Sequence, residues 1–198
     1  MIDVAKITGM QHLMSAHWHD AALEIPYDGF LAIACEQHQY NFCLWHEEDV
    51  ARSLDLGDAR IAEAKRVIDR LNQKRNDAIE RLDDAIAQKI RMQRITSNGP
   101  LNTETPGSAI DRLSILALRI YHLEEQFNRK DADVAHRQDA LGKFNICKIQ
   151  HNELSQSLHD LFADLFSGRK RHRTYRQLKM YNDPTMNPYL YAGKNRGH

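Results

Sequence analysis

Residues 60–90 read RIAEAKRVIDRLNQKRNDAIERLDDAIAQKI. Ile61, Ala64, Ile68, Leu71, Ala78, Ile79, Leu82, Ala85 and Ile86 recur at three- and four-residue intervals, the spacing that puts side chains on one face of an α-helix. No proline or glycine interrupts the run, so a single helix over about 57–93 is expected. The same stripe carries Lys65, Asn72 and Arg75, and Asp69, Asn76 and Asp83 flank it. A buried charge costs several kcal/mol unless it is paired or meets a ligand. That polar edge is therefore an internal ion-pair network or the wall of a site, or else Lys and Arg stems cover the core while their heads reach water.

Outside this run the helix breakers are few and clustered: Pro26 and Gly29, then Asn98, Gly99 and Pro100, then Pro106 and Gly107, Gly168, and finally Pro184 and Pro188. Between them lie good helix formers, which gives further helices over about 3–20, 29–53, 107–129 and 131–167. Asp28 or Gly29 opens the second helix, Ser108 with Asp111 resembles a capping box, and Gly168 stands where a C-terminal cap belongs. No alternating run supports a sheet. The expected fold is all-α, an antiparallel bundle of about five helices over residues 1–168 with a basic, tyrosine-rich tail, 169–198, packed on it as part of the same domain.

The 198 residues are long enough to bury a core, and 27 Lys and Arg balance 27 Asp and Glu. That zero net charge argues against a general polyanion binder. The tail alone is roughly +7, so the bundle must be acidic. Cys35, Cys43 and Cys147 show no CxxC spacing and read as reduced thiols. With no signal-peptide pattern and no apolar run of ~18–20 residues, a cytoplasmic protein without a membrane span is expected.

Three segments could carry chemistry. In NFCLWHEEDVAR, Asn41, Trp45, Glu48, Asp49 and Arg52 share one helical face, where an indole offers a stacking surface and the polar groups read hydroxyls or phosphate. The alternative is that Trp45 is core and Glu48 with Arg52 is an ordinary i,i+4 pair. In LNTETPGSAIDRL, Asn102 and Glu104 precede a helix whose first turns hold Asp111 and Arg112, which reads either as an anion site, with free amides beside an arginine, or as a well-capped helix with Asp111 and Arg112 facing solvent. The tail interleaves basic residues with Tyr175, Tyr181, Tyr189 and Tyr191. It either binds nucleic acid or wraps the bundle, and zero net charge favours wrapping. Eleven histidines invite a metal reading. The paired Glu-x-x-His repeats of di-iron bundles are absent, His17 and His19 diverge on a helix, and His122 with Glu125 stands alone, so no metal ligand set and no cofactor is expected. Nucleotide-binding loops and the nucleophile elbow are absent too.

The segments NFCLWHEEDVAR, KRVIDRLNQKRNDAIERLD, LNTETPGSAIDRLSILALRIYH and KMYNDPTMNPYLY resemble the domain of unknown function 4254 family of bacterial proteins. The resemblance implies a small helical protein associated with gene groups for lipopolysaccharide and other surface glycans, and no catalytic residues. With the residues above, the expectation is an enzyme of glycan or sugar-nucleotide metabolism, a transferase or modifier of a phosphorylated sugar. Arg52, Lys65, Arg75 and Arg112 would hold phosphate, Trp45 would stack on a ring, and Glu48, Asp49 or Glu104 would act as general base, with Asn41, Asp69, Asn72, Asn102 and Asp111 completing the binding set. The rival expectations are an accessory protein docking to glycosyltransferases and, least favoured, nucleic-acid binding through the tail. The enzymatic reading requires Asn41, Trp45 and Asp49 to face Lys65, Asn72 and Arg75 across a cleft closed by the loop 102–107.

Overall fold

A computed structural model describes residues 2–180 and 183–191, apart from the side chains of 190 and 191. Helices run over α1 Val4–Asp20, α2 Gly29–Arg52, α3 Asp58–Met92, α4 Pro106–Asn128, α5 Val134–Phe166 and a single turn, α6, Pro188–Tyr191. The architecture is all-α, and each long helix begins and ends within about three residues of where the punctuation places it. Among the described residues the only β pairing is an isolated bridge of Leu101 with Arg171.

The short link 53–57 folds α3 back along α2, and the ion pair of Arg60 with Glu47 (3.6 Å) marks the resulting antiparallel hairpin. Helix α4 returns beside α3, and α5 packs antiparallel on α4. Helix α1 runs parallel to α2 and α4. Its Gln11, Ser15 and His19 meet Ile110, His38 and Tyr121 in order along the chain. A parallel neighbour needs a return connection, and the extended link 21–28 can span about 26 Å, close to the length of α1. It is tied down by Trp18 Nε1 donating to the Glu24 carbonyl and by Gln39 Nε2 donating to that of Leu23.

The core joins Ile7, Met10 and Met14 of α1, Ala34 and Phe42 of α2, Leu82 and Ile86 of α3, Ile110 and Leu113 of α4, and Leu158 and Phe162 of α5. Cys35, Cys43 and Cys147 are free thiols, and burial pushes Cys35 up to about 12. No helix among the described residues is long and apolar enough to cross a membrane.

The start of α4 corrects two expectations. Thr105, not Ser108, is the N-cap: its hydroxyl accepts from the Ser108 amide at 3.1 Å, with Pro106 opening the helix. Asp111 sits too far into the helix to cap it. Nor are the amides free for an outside anion, because the Gly107 N–H donates to the buried Asp83 carboxylate of α3 at 2.8 Å. The protein supplies its own anion to that helix terminus. Gly107 allows the approach, since a Cβ there would lie 2.7 Å from the Ile79 carbonyl oxygen.

Residues 172–177 of the basic tail lie on the acidic edge of α3. His172 bonds the Asp83 carbonyl, Thr174 donates to Asp84, and Arg176 reaches both Glu80 (3.0 Å) and Asp84 (2.9 Å). Gly168, at φ +77°, makes the turn out of α5. Tyr181, Asn182, Lys194, Arg196 and the side chain of Tyr191 lie outside the described residues.

Candidate functional site

A cleft of about 400 Å³ opens between α2, α3 and α4, lined by Asn41, Leu44, Trp45, Glu48, Asp49, Arg52, Asn72, Arg75, Ile115 and Leu118. One helical face of α2 supplies the indole, both carboxylates and Arg52. Facing it, α3 contributes Asn72 and Arg75, while Leu44, Ile115 and Leu118 make an apolar floor.

The cationic groups are held differently. Arg52 stays on its own helix, paired with Glu48 at 3.0 Å and bonded to the Glu48 carbonyl. Arg75 is half-buried. Its Nε lies 3.9 Å from Asp111 and finds no hydrogen-bond partner, and its Nη2 makes one long bond to Asn76. A guanidinium carries five donors, so Arg75 keeps capacity for an anion in the cleft.

Behind the cleft runs a buried chain of hydrogen bonds. Asp111 Oδ1 accepts from Gln37 (2.6 Å) and from Asn41 (2.9 Å), and the other Asn41 proton goes to Ser114. Ser114 bonds His38 Nδ1 at 2.7 Å, and Ser15 lies 3.1 Å from His38 Nε2 while donating to the Gln11 carbonyl. The Ser15 proton is therefore committed, so His38 donates from Nε2 and accepts at Nδ1, which is the neutral ring. Burial pushes its pKa down to about 3. Burial raises Asp111, against the opposing pull of Arg75 and the Asn41 hydrogen bond. This chain fixes Asn41 and Asp111 in place and leaves the cleft's polarity to Trp45, the carboxylates, Asn72 and the arginines.

The structure thus brings together Asn41, Trp45, Glu48, Asp49, Arg52, Asn72 and Arg75, with Asp111 just behind. It does not bring in Lys65 or Asp69, which are exposed on α3, nor the loop 102–107. Glu104 and Arg112 pair with each other at 2.7 Å on an exposed surface. Arg112 borders a separate groove of about 560 Å³ between α4 and α5, and Asn102 a third near Lys170. Only Ile115 is shared between the first groove and the cleft.

Beside the cleft lies a group that spacing does not reveal. His19 of α1, His46 of α2 and His122 of α4 each offer a ring nitrogen within 4.8 Å of the others, the one set among the described residues able to hold a metal ion. Trp45 joins the two features, lining the cleft while stacking on the His122 ring at 4.8 Å. Burial, with His19 and His122 nearby, lowers the pKa of His46 and favours its neutral ring.

Residues 31–174 match the model of a family described as protein of unknown function, DUF4254. The chain belongs to this family. The matched region runs from α2 into the tail segment lying on α3, so it takes in the whole cleft together with His46 and His122, while α1 and His19 precede it. No curated protein and no solved structure matches the chain.

Proposed function

We propose that the cleft between α2, α3 and α4 binds a phosphorylated sugar or nucleotide sugar, and that the protein is a transferase or modifier acting on it in cytoplasmic glycan metabolism. One observation carries this reading: Arg75 enters the cleft with donors to spare, opposite an indole and two carboxylates. The indole suits the apolar face of a sugar or base, Arg75 and Arg52 suit a phosphate, and Asn72 suits hydroxyls. Glu48 or Asp49 at the rim is the candidate general base for a sugar hydroxyl, whereas Glu104 is bound to Arg112 on another face. The glycan context comes from the family resemblance alone.

Thermal-shift and calorimetric titrations with hexose phosphates and nucleoside-diphosphate sugars test the proposal. A binder at [L] of 100 Kd stabilises by about 2.7 kcal/mol, and the shift should vanish in Arg75→Ala. No stabilisation by any of these at millimolar concentration overturns the reading and leaves the accessory role. Against nucleic-acid binding through the tail, one of its basic groups, Arg176, is already paired with Glu80 and Asp84.

A further inference from the structure

We infer that His19, His46 and His122 form a binding centre for one divalent transition-metal ion of the zinc class, with three imidazole ligands and an open coordination position. The proposal stands on these rings and holds whatever occupies the neighbouring cleft.

Ring tautomers carry the argument. His19 Nδ1 lies 2.6 Å from the Ser15 carbonyl oxygen, an atom that can only accept, so the proton is on Nδ1. His122 Nδ1 lies 2.8 Å from a Glu125 carboxylate oxygen, which places its proton in the same way. With the Nδ1 proton so placed, the neutral form of each ring leaves Nε2 a lone pair, and both Nε2 atoms are buried without a hydrogen-bond partner. A buried unpartnered polar atom is costly. Two of them, belonging to rings gathered around one point with His46, are explained together by a shared cation.

The outer surroundings suit the same conclusion. A metal-bound histidine nearly always donates its other N–H to a carbonyl or carboxylate, which fixes the ring and raises its basicity. Ser15 and Glu125 are in those positions. The rings are also braced by Tyr121 stacked on His19 at 4.4 Å and by Phe42 edge-on to His46 at 4.6 Å. His19 lies in the last turn of α1, whose negative dipole end favours a cation. Zinc–imidazole distances of about 2.0–2.1 Å put tetrahedral ligand nitrogens about 3.3 Å apart, so loading draws the rings inward by about an ångström. Imidazole-only ligation selects zinc, cobalt, nickel or copper over magnesium or calcium. Three protein ligands rather than four leave a place for water or a substrate oxygen.

The test uses the full chain, treated with chelator, dialysed and titrated with Co²⁺, Zn²⁺, Ni²⁺ and Cu²⁺. One equivalent of Co²⁺ should bind and develop the visible bands of a four- or five-coordinate ion, and Zn²⁺ should bleach them. His46→Ala and His122→Ala should abolish stoichiometric binding, and Glu125→Gln should weaken it about 10–100-fold. His159→Ala, a change at an exposed histidine outside the group, should change nothing. Failure of the folded wild-type chain to bind any of the four ions at micromolar concentration overturns the proposal. So does unchanged binding in His46→Ala, or equal loss in His159→Ala.

Discussion

Arg75 Nε lies 3.9 Å from Asp111 Oδ1, although that oxygen already accepts hydrogen bonds from Gln37 and Asn41. The carboxylate does not depend on the guanidinium for its hydrogen bonds, and the guanidinium is not consumed by the carboxylate. This one loose pairing separates a binding residue from a structural one, since removing a partner from a tight buried pair costs about 3–5 kcal/mol.

Arg75→Ala should therefore lower stability by only about 1 kcal/mol in urea denaturation while weakening sugar-phosphate binding at least tenfold by calorimetry. A stability loss above about 3 kcal/mol would mean that the arginine serves the network, as the accessory-protein reading requires.

Asp111→Ala should behave in the opposite way. It leaves the Gln37 amide, and the Asn41 proton that does not go to Ser114, without an acceptor, and takes away the carboxylate paired with Arg75. A loss of about 3 kcal/mol is expected, with Asp111→Asn recovering part of it. Denaturation midpoints of the two variants at one pH decide the point.

Acid should destabilise the protein well before its carboxylates titrate. His38 is pushed down to about 3 by burial, and His151, buried against the His12 ring, to about 4. Below pH 6.5 the unfolded chain takes up these protons and the folded one does not, so the stability held by the neutral rings is full above 6.5 and falls as pH drops. At pH 5 the His38 ring accounts for about 2 kcal/mol, and His151 acts in the same direction. Asp83 and Asp111, raised by burial, act with the opposite sign and gain on protonation. Metal-free protein denatured in urea at pH 7.5 and pH 5 should show a clear loss at the lower pH; equal midpoints would contradict the neutral-histidine core.

Gly107→Ala should cost about 2–3 kcal/mol. The new Cβ would meet the Ile79 carbonyl at 2.7 Å and the Asp83 carboxylate at 2.9 Å, pushing α4 off α3 and lengthening the bond that caps it. The melting temperature should fall by several degrees, whereas Gly142→Ala, in open space on α5, should leave it unchanged or raise it.

Helix number, boundaries and the α2/α3 hairpin were legible in the chain because they rest on local causes: 3.6-residue periodicity, proline and glycine punctuation, and a link too short for anything but a reversal. One face of α2 was legible for the same reason, and it does line the cleft. What each polar residue meets was not. Lys65 and Asp83 are eighteen residues, about five turns, apart on one line of α3, so periodicity treats them alike. Asp83 is 2% exposed, covered by the start of α4 and by His172, while Lys65 is exposed. Glu104 and Arg112 point to another face because Thr105 and Gly107 seat the start of α4 against α3. The three histidines come one from each of three helices, and only the parallel placement of α1 beside α2 and α4 brings them together, so no local spacing could announce them. Periodicity reports which way a side chain leaves its own helix; which neighbour waits there is set by packing between residues far apart in the chain.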